Sequence, residues 1–388
     1  MIYSLQKYLR RSVYLVTFIY TTNFALTLYI NSSYLGHYID KQHVSILFSL
    51  ASLLAMILLA GTTRLFALIG QHRATQLFLL LNLLGAAALA LSTNTYLIIP
   101  MWMLFYGTGV LLRFDLDIYM EKLSTNEETG TSRGVFLTIL NLAIFISPYI
   151  ASKILGDGES FMLIYFTAAG MATITLLLVS TTLRGIREVT YRTDPFFKSL
   201  KVMRLNANLR NIFVTTFLLE FFYSWMVIYN PLYLHEEIGF GWENIGIILA
   251  IMLLPFVLIE YPLGKIADKW LGEKEILTTG LIIMGFSTAT IAFISSPNIA
   301  LFAGLLFLTR IGAAAVEIMN ETYFFKHVTA ADTGAIAVFR NSRPLAYILG
   351  PLVGAVVLVY VPSNFMYLIL GAFMLTGVFF SLSIVDTK

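Results

Sequence analysis

Twelve apolar runs alternate with short polar turns along this chain, at residues 12–35, 44–64, 74–93, 96–119, 134–155 and 160–182, then 211–233, 243–263, 275–295, 299–322, 333–360 and 364–385. A hydrocarbon core of roughly 30 Å asks for about 20 apolar residues per helix, so each run predicts one membrane-spanning helix. The only long polar stretch, residues 181–210, lies between the sixth and seventh runs and carries seven Lys or Arg against two acids. Such a segment stays beside the anionic cytoplasmic leaflet. With an even number of runs on each side of it, both termini are expected on the cytoplasmic side. The basic residues of the other turns fall on that same face, leaving only Lys41 and Lys153 opposite.

The organisation that follows is an N-terminal six-helix bundle at 1–180, a basic cytoplasmic linker at 181–210 and a C-terminal six-helix bundle at 211–388. Composition agrees: 58% of the 388 residues are hydrophobic, 12% are charged, and the mean hydropathy is +0.80. Soluble proteins carry about 25% charge. Twelve helices consume nearly the whole length and leave no room for a soluble domain. The net charge of +3 sits in turns rather than on one patch, so it reads as a topology signal and nucleic acid is not expected as a partner. The absence of cysteine excludes disulfides and thiolate-held metals. The basic N-terminus before the first run imitates a secretory leader, but that run is long and eleven more follow, so it is read as a retained first helix.

The two halves echo each other. Asn31-Ser-Ser-Tyr34-Leu35 recurs as Asn230-Pro-Leu-Tyr233-Leu234, and after a four-residue shift Gly61 matches Gly264, Gly109 matches Gly312, Phe136 matches Phe339 and Pro148 matches Pro351. Between the eighth and ninth runs stands Gly264-Lys-Ile-Ala-Asp268-Lys269-Trp-Leu-Gly272-Glu-Lys274. The stretch resembles the G-x-x-x-D-[RK]-x-x-G-x-[RK] signature of the major facilitator superfamily, placed where the second-half copy belongs. The first-half counterpart, from Gly61 through Arg64 to Gly70 and Arg73, keeps glycines and arginines but lacks the aspartate. The resemblance implies an all-α polytopic fold with twelve transmembrane helices in two six-helix bundles around a central cavity, and secondary transport by alternating access. It also implies that contacts made by this turn latch the cytoplasmic side. Physically, the glycines permit a tight turn and Asp268 is expected to face the positive N-terminal end of a neighbouring helix; a merely solvated turn is the plainer alternative.

Leaving aside those at the ends of the runs, nine ionisable residues fall inside them: Arg113, Asp115 and Asp117 in the fourth, Glu220 in the seventh, Glu260 in the eighth, Arg310 and Glu317 in the tenth, Arg340 and Arg343 in the eleventh. At roughly 3 kcal/mol each against lipid they would cost about 27 kcal/mol, above the usual folding stability of about 5–15 kcal/mol. They must be paired or wet. The interiors of runs 3, 6, 9 and 12 carry none, and in the superfamily resembled those helices form the outer support. Arg113 and Asp117 are spaced to share one helix face, with Asp115 on another, while Arg310, Glu317 and Glu321 form one stripe. Glu220 is the first candidate for proton coupling, because a desolvated carboxylate takes up and releases a proton as its access to water changes; permanent neutralisation by Arg310 or Arg343 is the competing reading. Arg340 and Arg343 suit either an anionic substrate group or these acids. Asn23, Asn31, Tyr223, Trp225 and Asn230 are expected to line the cavity with amide and ring surfaces.

The function expected is a secondary transporter of a small molecule, proton-coupled and exporting amphipathic compounds, with sugar or organic-anion uptake as the alternative. A pump is disfavoured because no Gly-x-x-x-x-Gly-Lys loop is present. A membrane-embedded glycosyl- or lipid-modifying enzyme using Asp115 and Asp117 is the rival of another class. No cofactor or metal is expected, the proton gradient supplying energy. The expected setting is a monomer in the lipid bilayer of the cytoplasmic membrane.

Overall fold

The computed structural model describes residues 2–28, 30–124, 129–155, 161–186, 196–230 and 233–387, and among these the chain is entirely helical outside its turns. The expected basic linker therefore lies partly outside the described residues, at 187–195. The N-terminal half supplies α1 (Ile2–Leu28), α2 (Lys41–Ile69), α3 (Gln71–Leu91), α4 (Thr95–Glu121), α5 (Thr129–Leu155) and α6 (Phe161–Leu178), the last continuing through a wider turn at Val179–Leu183. The C-terminal half supplies α7 (Ala207–Ile228), α8 (Trp242–Ile266), α9 (Lys274–Ile291), α10 (Ile299–Lys326), α11 and α12. Helix α11 is built of Thr333–Arg340 and Ser342–Tyr360, interrupted at Asn341, and α12 of Phe365–Leu375 and Gly377–Leu382. Ten of the helices are long and apolar enough to span a membrane by their own composition. The other two expected spans are the helices α1 and α9.

Local chemistry sets the ends of these helices. Asn94, Asn206 and Asn298 cap α4, α7 and α10, each offering its side-chain oxygen to the backbone N–H groups that begin the helix. Gly70, at φ +82°, turns the chain sharply from α2 into α3.

Packing divides the chain into two compact units. Unit 1 comprises residues 1–124, 139–199 and 329–341; unit 2 comprises 125–138, 200–328 and 342–388. The first part of α5 thus belongs with unit 2, and the first segment of α11 with unit 1. Within unit 1, α3 packs on α4 and α6, α1 on α6, and α2 on α4. Within unit 2, α9 packs on α10 and α12, α7 on α12, and α8 on α10. The same pairings recur in the same order, so the sequence echo reflects a structural repeat.

The repeated Asn-x-x-Tyr-Leu segment shows why. In unit 1 the Asn31 side-chain oxygen accepts from Trp102 Nε1 at 3.1 Å and from the Tyr165 hydroxyl at 2.8 Å, and the rings of Tyr34 and Tyr165 lie 4.6 Å apart. In unit 2 the Asn230 oxygen accepts from the Tyr367 hydroxyl at 3.0 Å, and the rings of Tyr233 and Tyr367 lie 5.0 Å apart. Each half ties the segment that follows its first helix to its sixth helix with the same amide-phenol bond. Where no water is available, a buried amide must find its partners inside the protein.

Candidate functional site

Unit 2 gathers four of the nine intramembrane charges on α7, α10 and the second segment of α11. Glu220 Oε2 lies 3.8 Å from Arg343 Nε, an ion pair in which the glutamate is largely buried and the arginine side chain is 41% exposed. One turn along α7, the Tyr223 hydroxyl donates to Glu317 Oε2 at 2.6 Å. Arg310, nearly fully buried, spreads its guanidinium over the rings of Phe222 and Tyr223, at 4.8 and 5.9 Å from their centres. Arg343 in turn lies 5.5 Å from the ring centre of Tyr347. Two carboxylates and two guanidinium groups thus share one aromatic-walled region, where rings shield the cations from the apolar phase while leaving their charge available.

Toward the end of α10 a second cluster joins the beginning of α5 to the turn after α8. The Asp268 carboxylate accepts from Gly130 N at 3.1 Å, from Thr131 N at 2.7 Å and from the Thr131 hydroxyl at 3.1 Å, so it caps the N-terminus of α5 where the backbone donors have no partner within the helix. The approach is possible because Gly264 and Gly130 bring the two backbones into direct contact, and a Cβ on either would strike the other's carbonyl. Gly134 repeats this one turn later, with Tyr261 Cα 2.9 Å from where its Cβ would stand. The cation that closes on Asp268 comes from α10: Lys326 Nζ stands 3.3 Å from Asp268 and 2.6 Å from the fully buried Glu273. Lys269 is exposed and Lys274 half-buried on the turn. Beside this cluster, fully buried Arg133 lies over the ring of Phe325 and 4.0 Å from Glu321.

Unit 1 holds the α4 charges. Asp117, with no exposed surface, takes Arg340 Nε of α11 at 2.5 Å. Asp115, equally buried, accepts from Gln71 Nε2 at 2.6 Å and from the Thr75 hydroxyl of α3 at 2.5 Å. The two carboxylates of the Asp-x-Asp pair therefore face different partners. Arg113 stands half-buried on the same helix.

Residues 212–388 match the family model described as Major Facilitator Superfamily. Over the whole molecule the fold is similar to that of the human organic anion transporter MFSD10 (TETRAN), with a TM-score of 0.81 and 15% identity, covering 97% of this chain and 99% of that one. The second half of the chain is thus similar in sequence to the major facilitator superfamily, and the whole chain is similar in fold to MFSD10. No curated protein matches the sequence.

Several residues expected to line the cavity tie helices together within the two units. Asn23 donates to Asn82 at 3.0 Å, Trp225 donates to the Gly350 carbonyl at 2.8 Å, and Asn31 and Asn230 make the phenol ties described above; all four are at most 6% exposed. Tyr223 meets charged groups, donating to Glu317 and lying beneath Arg310. Glu260, placed by its sequence position near a helix end, is also fully buried. Arg133 and Lys326 escaped the sequence reading because they lie at the margins of the apolar runs, where charge is ordinary, and Glu273, which sequence placed in a turn open to solvent, is fully buried. The Gly130 and Gly134 pair, one helical turn apart, is the signal that marks a close helix contact there.

Proposed function

We propose that this protein is a major facilitator transporter, that it couples movement of a small amphipathic molecule to protons through Glu220, and that it works as an exporter. The observation that carries the reading is the Glu220–Arg343 pair: a largely buried carboxylate faces a guanidinium that retains 41% exposure, at 3.8 Å. At that distance the pair is held by charge more than by a tight hydrogen bond. A proton on Glu220 removes the attraction and frees Arg343, while loss of the proton restores it. Tyr223, Glu317 and Arg310 form the adjoining polar wall, and Phe222 and Tyr347 supply ring surface for the apolar part of a ligand.

An anionic group on the ligand is the second reading, favoured by the exposure of Arg343. Such a group would compete with Glu220 for the guanidinium, and displaced Glu220 would then accept a proton. The fold neighbour named as an organic anion transporter points the same way. Flux of candidate amphipaths, neutral and anionic, into sealed proteoliposomes with and without an imposed pH gradient tests both. Glu220→Gln should abolish the pH-driven component while leaving exchange. Undiminished pH-driven flux in that variant removes Glu220 from the coupling.

A further inference from the structure

The C-terminal segment after α12 is woven into the turn that carries Asp268. Asp386 Oδ1 accepts from the backbone N–H of Glu273 at 2.8 Å, at the start of α9. Gly272, at φ +78°, leaves room for this carboxylate, since a Cβ there would fall on it. The Thr387 hydroxyl donates to Glu273 Oε2 at 2.6 Å, while Lys326 Nζ donates to Glu273 Oε1 at 2.6 Å and to the Thr387 hydroxyl at 3.3 Å. The segment is fastened on both sides: the Tyr323 hydroxyl donates to the Val385 carbonyl at 2.7 Å, and Val385 N–H donates to the Asn208 side chain at 3.2 Å. Lys326 is the shared member, because it also approaches Asp268 at 3.3 Å.

We propose that Asp386 and Thr387 are positioning residues for the gate aspartate, and that the segment 385–387 is a strap that sets how firmly Asp268 caps α5. The inference rests on reading the Asp268 contact as a latch. Glu273 carries the connection. With Asp386 fixing its backbone and Thr387 its carboxylate, Glu273 holds Lys326 where the ammonium reaches Asp268. Without the strap, Glu273 loses both fastenings, Lys326 follows its carboxylate away from the turn, and Asp268 loses part of the charge that keeps it against Gly130 and Thr131. A partner or modification that drew the segment away would loosen the gate without touching any residue of the transport path.

The natural absence of cysteine supplies the test. Ser132 is buried in the first turn of α5, and Ser287 is buried in α9 away from the turn. Single-cysteine variants Ser132→Cys and Ser287→Cys of the full chain, purified in detergent, are labelled with a hydrophilic maleimide. Adding Asp386→Asn or Thr387→Ala should speed labelling at position 132 by roughly threefold to tenfold and leave position 287 unchanged, and Asp386→Glu should restore part of the protection. Asp268→Asn is the reference and should speed labelling at 132 at least as much. If Asp268→Asn speeds labelling and the strap variants do not, the strap is overturned and the latch stands. If Asp268→Asn has no effect, the latch is overturned and the strap with it. Equal acceleration at both cysteines means general loosening and also overturns the strap.

Discussion

Replacing Asp268 by Asn keeps the size of the side chain and removes its charge, which isolates what the carboxylate does for α5. The carboxylate receives two backbone N–H groups and one hydroxyl, at 3.1, 2.7 and 3.1 Å, and faces Lys326 at 3.3 Å. An asparagine has a single acceptor oxygen, so one backbone donor loses its partner and the other falls from a charge-assisted to a neutral bond. Hydrogen bonds to charged groups contribute about 1.5–3 kcal/mol and neutral ones about 0.5–1.5 kcal/mol, so the expected loss is about 3 kcal/mol, with the helix-end interaction included in that range. At about 1.4 kcal/mol per decade, local opening of the first turn of α5 should become roughly a hundred times more frequent. Hydrogen exchange by mass spectrometry on a peptide covering 129–135 reads this directly, because amide exchange follows local opening. A change below about threefold, equivalent to roughly 0.65 kcal/mol, would mean that the carboxylate does not hold the helix end and would refute the latch.

Removing the amide oxygen at Asn31 strands two buried donors and at Asn230 one, at about 1–3 kcal/mol each; thermal melting of Asn31→Leu should therefore show roughly twice the loss of Asn230→Leu. Gly312→Ala places a Cβ 2.5 Å from the Gly280 carbonyl and Met284 N, whereas nothing lies within 4 Å of a Cβ at Gly61. Melting temperatures should fall for the first, in line with an overpacking cost of about 1–3 kcal/mol, and stay level or rise slightly for Gly61→Ala. Arg340→Leu removes the guanidinium from fully buried Asp117 and should cost about 3–5 kcal/mol, while Arg340→Leu with Asp117→Leu should recover much of it. Equal stability of the single and double variants would show that Asp117 does not depend on Arg340.

The number of helices, their approximate ends and the two-fold repeat were legible in the sequence, because run length against bilayer thickness and the recurrence of Asn31 and Tyr34 as Asn230 and Tyr233 are properties of neighbouring residues. The need to satisfy the intramembrane charges followed as well, since apolar surroundings penalise every unpaired one alike. Which charge meets which could not be read, because the partners are remote: Arg340 reaches Asp117 across 223 positions and Asp268 reaches Thr131 across 137. Sequence spacing offered Arg113 as a mate for Asp117 on the same helix, yet it is Arg340 of α11 that is brought to that carboxylate, and Lys326 of α10 stands beside Asp268. Helix crossing decides this. Gly130, Gly134 and Gly264 let α5 and α8 approach until their backbones touch, and only at that separation does a short aspartate side chain span from one helix to the exposed N–H groups of the other.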